Sequence, residues 1–214
     1  NRIYGLTKGQ YSPTSRVGTT SPSTPNGSID LPLRPCTFAI GAGARFVARS
    51  IDTETKHMTP LLERAHDHKG ASFVEIYQNC PVYNDGIFDY IKDKKNAAES
   101  RLLLENGSPM TFGGENENGI RLDAKTIRLE VVIIGEDGIT LEDILVHDES
   151  NKVMAQMLAE LKGPDFPEPI GVLYCDPAES YESDVYDQRE LVRQTSGAPD
   201  INALLRGGHT WTVD

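Results

Sequence analysis

The sequence predicts an α/β fold in which helices flank a parallel sheet, with a small antiparallel insertion. Three observations predict it. An apolar run RFVARSID (45–52), a helical stretch TETKHMTPLLERAHDHKG (53–70) and a second apolar run ASFVEIYQ (71–78) follow one another at the length of one crossover, which suits two parallel strands joined by a helix. Further along, NKVMAQMLAELKG (151–163) and PIGVLYC (169–175) repeat the pairing of an amphipathic helix with a buried strand. Between them, residues 107–147 are turn-rich and then alternate in polarity, which places them in hairpins outside the parallel core.

Taken in order, residues 11–32 are rich in Ser, Thr, Pro and Gly. By composition they read equally as a flexible linker and as an ordered ligand loop. The helix of 53–70 carries Met58, Leu61, Leu62 and Ala65 on one face and closes at Gly70. FDYIKDKKNAAESRL (88–102) predicts one further helix with a solvated, mixed-charge face. TIRLEVVIIGEDGITLEDILVHD (126–148) has an EDG turn of the hairpin kind. The helix of 151–163 turns Val153, Met157, Leu158 and Leu161 inward, and 180–214 predicts a helix, a loop, a short helix and a tail. These divisions set expected boundaries at 1–106, 107–147 and 148–214.

With 38% hydrophobic and 25% charged residues, 214 residues suffice for a core, and no apolar run reaches membrane-spanning length. Twenty-one basic residues face 32 acidic ones, a net charge of −11, which argues against nucleic acid and anionic membranes as partners. The three cysteines, Cys36, Cys80 and Cys175, form no CxxC, so a reduced, cytoplasmic protein is expected. Cys36 and Cys175 lie in apolar settings and read as structural. Cys80 sits where a strand meets Pro81, and a strand-end core cysteine is the stronger reading of the residues alone, with a thiol projecting from the sheet edge into a site as the alternative.

The opening segment NRIYGLTKGQYSPTSRVGTT (1–20) holds the main candidate site. The Asn1 side chain and the Ile3 carbonyl are two hard oxygen donors of the kind octahedral Mg²⁺ takes. Gly5 and Gly9 allow close backbone approach, and Thr7, Lys8, Ser12, Thr14 and Ser15 offer donors to an anion. On pattern alone, a diphosphate loop and an ordinary polar turn both remain open. Elsewhere His66 and His68 form HxH without further ligands and read as helix-end histidines. His147 reads as a surface loop histidine beside a carboxylate. Asp85 and Glu182 have no partner for a glycosidase-type pair, and Trp211 suits either a tail anchored in a partner's groove or one packed on the body.

The phrases NRIYGLTKGQYSPTS (1–15), AIGAGARFVARSID (39–52), HKGASFVEIYQNCPVYNDG (68–86) and LLRGGHTWTVD (204–214) resemble the beta subunits of the 2-oxoacid:ferredoxin oxidoreductases, in their 2-oxoglutarate branch. The resemblance spans the chain and implies the thiamine-diphosphate-binding fold, here incomplete. The family's GDG half of the cofactor motif is missing and the chain opens at Asn, so it is expected to be the carboxy-terminal part of a longer subunit. The resemblance implies that Asn1, Ile3, Tyr4, Gly5, Leu6, Thr7 and Lys8 bind thiamine diphosphate, with Asn1 and Ile3 on Mg²⁺. It implies that Leu6 and Lys8 also shape the substrate pocket, and that Cys80 is one ligand of a [4Fe-4S] cluster whose other ligands lie outside this chain. The implied reaction is oxidative decarboxylation of a 2-oxoacid, 2-oxoglutarate for this branch, with coenzyme A to an acyl-CoA. Electrons pass through the cluster to ferredoxin, and an alpha subunit is the implied obligatory partner. A non-oxidative thiamine enzyme and a non-catalytic interaction domain are the alternative expectations.

Overall fold

The computed structural model describes residues 2–3, 5, 9–93, 95–197, 200–208, 211 and 213. It divides into two units, Asn1–Pro177 and Ala178–Asp214.

The first unit is built on a four-stranded sheet in the order β2-β1-β7-β3. The strand–helix–strand unit expected at 45–78 is present as β1 (Phe46–Ile51), α2 (Thr55–Asp67) and β2 (Ser72–Tyr77), and β1 pairs with β2 in parallel. A short helix, α1 (Pro35–Gly41), precedes them with Pro at its first turn, where the missing N–H costs nothing. Every residue of β1 is buried because both sheet faces are covered. Val47 packs with residues of α1 and of α5 (Lys152–Glu160), while Phe46 and Ala48 pack with Leu61 of α2.

The last strand, β7 (Glu168–Cys175), is buried along nearly its whole length, as its sequence predicts. It runs antiparallel to β1 and parallel to β3 (Arg101–Leu103), so the sheet is mixed. A buried strand reads the same in either direction, and side-chain pattern alone does not reveal this reversal. At Gly171 the backbone lies at φ +136, and a Cβ there would stand 2.8 Å from the Leu104 carbonyl oxygen.

Two expectations are corrected, and the expected antiparallel insertion is present. The single helix expected at 88–102 is two short ones, α3 (Asp89–Lys92) and α4 (Ala97–Ser100), leading into β3. Asp93 is extended after α3, and the apolar Leu102 and Leu103 join the sheet instead of continuing a helix. In α5 the buried residues are Met154, Ala155, Leu158 and Ala159, while Val153 is 69% exposed. The inward face is thus turned by one residue, because Asn151 caps the helix through Val153 N and Met154 N and aims Val153 outward. The strands of the insertion are β4 (Thr111–Phe112), β5 (Asn118–Asp123) and β6 (Arg128–Ile133) in an antiparallel ribbon. Its β5–β6 turn falls at 124–127, and the expected EDG turn follows β6, where Ile139 N donates to Glu136 O.

Residues 11–32 are folded on themselves. Gly18 N donates to Ser28 O, Ser28 N to Thr19 O, and Leu33 N to Pro13 O, and Ser12, Ser15, Thr24 and Ser28 are buried. The second unit holds α6 (Tyr181–Ser196) and α7 (Ile201–Arg206), capped by the side chains of Ser180 and Asp200. No residue of either helix is buried.

Candidate functional site

Of the residues singled out in the opening turn, Asn1, Tyr4, Leu6, Thr7 and Lys8 lie outside the described residues. Those described form a tightly held turn. Ile3 is 4% exposed. Arg2 adopts φ 53, a left-handed conformation that non-glycine residues take only when their surroundings impose it. Its carbonyl accepts hydrogen bonds from Ser12 Oγ at 3.1 Å and Ser15 Oγ at 2.7 Å. Those two hydroxyls, expected to face an anion, are instead committed to the turn itself. Gly5 lies at φ +77, where a Cβ would stand 3.0 Å from Gln10 Cβ, and Gln10 N closes the loop on Gly5 O at 3.1 Å.

The Arg2 side chain reaches the carboxy-terminal end of β2. Its Nη2 donates to Tyr77 Oη at 3.1 Å, and its guanidinium lies 5.1 and 5.3 Å from the ring centroids of Tyr77 and Phe88. Three residues beyond Tyr77 is Cys80, half-buried and unoxidised. Asn84 N donates to the Cys80 carbonyl at 2.9 Å, and the loop is tied further by Asn79, whose side chain bonds Asp85 Oδ1 and Gly86 N. The fold therefore brings the amino-terminal turn and Cys80 to one end of the sheet.

Behind them runs a buried polar network that sequence reading missed. Arg49 of β1 donates to Glu75 Oε2 at 2.8 Å and lies 3.3 Å from Glu168 Oε1. Tyr77 Oη donates to Glu168 Oε1 at 2.5 Å and Tyr90 Oη to Glu168 Oε2 at 3.1 Å. Cys36 Sγ donates to Glu75 Oε2 at 3.3 Å. Burial opposes the charge on Arg49, yet Tyr77, Cys36, Glu75 and Glu168 outweigh it and hold its pKa well above the usual guanidinium value. Burial likewise opposes the charge on Arg2, which Tyr77 and Glu168 more than restore. The same burial pushes Tyr77 well above the usual phenol value, and Tyr90 and Cys36 each up to about 12. At neutral pH both arginines are charged and the tyrosines and the thiol are protonated. One signal for this network was available: Arg49 and Glu75 are charged residues inside two apolar strands, and they are register partners. A cleft of about 430 Å³ opens over it, with Arg2, Arg16, Arg34, Arg49 and Lys162 against Glu75 and Glu168. It is a locally basic concavity in a chain of net charge −11.

The remaining candidates separate. Cys36 is buried as expected, and Cys175 is half-buried. No group of three or more His, Cys, Asp or Glu side chains suited to a metal occurs among the described residues, at Cys80 or elsewhere. His68 caps α2 and its ring lies 5.4 Å from Phe46. His147 is not a surface residue: it is 1% exposed, with Nε2 2.8 Å from the Val172 carbonyl. Trp211 is 84% exposed.

The donor chemistry fits Mg²⁺ and a diphosphate. Asn1 and the Ile3 carbonyl are oxygen donors of the hard kind, and in the adjoining turn Gly5 holds a φ of +77 that L side chains rarely adopt. A single cysteine fits one corner of an iron–sulfur cluster and no more.

Known proteins resemble the chain in sequence and in fold. The family "Thiamine pyrophosphate enzyme, C-terminal TPP binding domain" matches residues 1–76. The chain is 37% identical over a 219-residue alignment to the 2-oxoglutarate oxidoreductase subunit KorB of Mycobacterium tuberculosis, covering 100% of this chain and 57% of that protein. It is 41% identical over 85 residues to the 2-oxoacid:ferredoxin oxidoreductase subunit beta of Saccharolobus solfataricus, covering 40% of this chain and 28% of the relative. Among solved structures it is similar to the 2-oxoglutarate:ferredoxin oxidoreductase from Magnetococcus marinus with 2-oxoglutarate, coenzyme A and succinyl-CoA bound. The TM-score is 0.63 at 26% identity, over 98% of this chain and 56% of that one. The chain thus spans little more than half the length of the relatives it matches end to end. None of the helices is long and apolar enough to cross a membrane among the described residues.

Proposed function

We propose, on the premise that this chain belongs to the beta subunits of the 2-oxoacid:ferredoxin oxidoreductases, that it supplies the cofactor turn and the cluster cysteine of an enzyme that oxidatively decarboxylates 2-oxoglutarate. In the overall reaction 2-oxoglutarate and coenzyme A give succinyl-CoA, carbon dioxide and a proton, and two electrons leave singly for two oxidised ferredoxins. An alpha subunit completes the enzyme. The observation that supports the reading is the Arg2–Tyr77 hydrogen bond, which anchors the amino-terminal turn at the strand end three residues before Cys80.

The residues divide the work by chemistry. Asn1 and the Ile3 carbonyl hold Mg²⁺, and Tyr4, Gly5, Leu6, Thr7 and Lys8 border the thiamine diphosphate. When bound, that cofactor supplies the electron sink for the bond that breaks as carbon dioxide leaves. Lys8 meets the negative charge of the substrate, and Leu6 shapes its pocket. Cys80 gives one thiolate to a [4Fe-4S] cluster. Such a cluster takes four thiolates and the sequence holds three cysteines, so at least one further ligand would come from elsewhere in the complete enzyme.

The test is an anaerobic assay of the complete complex with 2-oxoglutarate, coenzyme A and oxidised ferredoxin, beside a Cys80→Ser variant. Succinyl-CoA formed together with two reduced ferredoxins is expected. The variant is expected to lose cluster iron and at least 100-fold of its ferredoxin reduction, a second-sphere loss being already 10- to 100-fold. Carbon dioxide release without ferredoxin reduction in the parent complex would instead mean a non-oxidative thiamine enzyme.

A further inference from the structure

We propose that Tyr77 and Glu168 are positioning residues for the metal-binding turn, acting through Arg2. The inference rests on the reading of Asn1 and Ile3 as Mg²⁺ ligands and extends it to two strands that no motif connects with the cofactor.

Arg2 lies between those two residues in the chain, and its left-handed φ of 53 sets how the peptide planes on either side are turned. Nothing in the residue itself favours that conformation, so the surroundings must impose it. They do so at both ends. The carbonyl is held by the hydroxyls of Ser12 and Ser15. The guanidinium is held by Tyr77 Oη and rests over Tyr77 and Phe88, whose rings stack with centroids 4.5 Å apart. Tyr77 Oη is itself oriented, because it donates to Glu168, and Glu168 is fixed from its other sides by Arg49 and Tyr90. With its proton directed at the carboxylate, the phenol oxygen presents a lone pair to Arg2. The carboxylate, on a buried side chain 4.0 Å from Arg2 Nη2, adds charge attraction.

Segments 75 and 91 residues apart, at Arg2, Tyr77 and Glu168, thus converge on one peptide turn. A turn meant to present two oxygen ligands to a metal that tolerates little geometric error needs such a hold.

The experiment is a titration of the cofactor-stripped complete complex with Mg²⁺ and thiamine diphosphate, followed by calorimetry, for the parent, Tyr77→Phe and Cys36→Ala. Tyr77→Phe keeps the ring stack and removes only the hydroxyl. Cys36→Ala breaks the far end of the same network, where the thiol bonds Glu75 and does not touch Arg2. The expected result is a loss of about tenfold in Mg²⁺-dependent thiamine diphosphate affinity for Tyr77→Phe, the lower end of what an outer-sphere partner is worth. Cys36→Ala should bind like the parent. Equal affinity in Tyr77→Phe and the parent would overturn the positioning role, and so would an equal loss in both variants, which would mark general loosening of the network. A parent complex that binds no thiamine diphosphate would overturn the cofactor reading itself, and the positioning role with it.

Discussion

Two buried side chains show what single residues reveal and conceal. Arg49 stands in an apolar strand and is 3% exposed, so its charge is stable there only because Glu75 and Glu168 meet it. Glu75 could have been named as its partner from the strand pattern, since the two fall at matching positions of β1 and β2. Glu168 could not, because its strand arrives from 119 residues further along the chain than Arg49 and its pairing depends on the reversal of β7. His147 was misread for a similar reason: its neighbours Asp148 and Glu149 suggest a surface loop, while the Val172 carbonyl that accepts from its Nε2 lies on a distant strand. Its Nδ1 has no hydrogen-bond partner among the described residues, so protonation there would bury an N–H without an acceptor. Burial accordingly lowers the pKa of His147, although the Val172 carbonyl, Glu149 and Asp148 pull the other way. With the folded value below the unfolded one of about 6.5, the unfolded chain takes up the proton first. The stability contributed by His147 is therefore complete above that unfolded value and is lost as pH falls from there towards the folded pKa. His57, also lowered by burial, adds in the same direction. Unfolding by urea as a function of pH should show this decline, and His147→Gln should flatten it; an unchanged slope would mean that another group titrates.

At the scale of elements, periodicity located strands and helices better than it located their ends and directions. The unit at 45–78 was legible because β1, α2 and β2 each obey one local rule, apolar run, amphipathic face, apolar run. The stretch 88–102 was not, because a helical composition is overruled where Leu102 finds a place in the core beside β7. The rotation of α5 was hidden in its cap, since Asn151 sets the phase of the helix. The entry of β7 against β1 and β3 depends on Gly171, where φ is +136 and the Leu104 carbonyl oxygen would lie 2.8 Å from any Cβ. Leu104 N also donates to Ile170 O at 2.8 Å, so that backbone cannot retreat without breaking the junction. Gly171→Ala is expected to destabilise the first unit by more than about 1 kcal/mol. Denaturant midpoints for the variant and parent would measure it, and equal midpoints would show that the junction yields easily.

At the scale of the whole molecule, a first unit with three buried clusters is followed in the chain by a second unit of a different character. The buried clusters of the first unit draw on residues from Cys36 to Tyr174. The second unit buries no residue of its two helices and leaves Tyr181, Leu191, Leu204, Leu205 and Trp211 more than 60% exposed. Its helices were legible because capping side chains, Ser180 and Asp200, stand where a helix begins. What covers its apolar side chains was not legible, because a surface that serves a partner and one that serves no purpose have the same composition. The two roles differ in what deletion does. Apolar burial supplies about 25 cal/mol per Å² of stability, so two helices without a buried residue contribute little to the fold. Ending the complete subunit at Pro177 is therefore expected to shift the unfolding free energy of the first unit by no more than about 1 kcal/mol. If the exposed side chains serve assembly with the alpha subunit, the same truncation should lower the yield of the alpha–beta complex in size-exclusion chromatography, and Trp211→Ala should reproduce part of that loss. A full yield of complex from the truncated subunit would remove the assembly role, and a collapse of the unfolding transition would place residues 178–214 in the folding of the first unit.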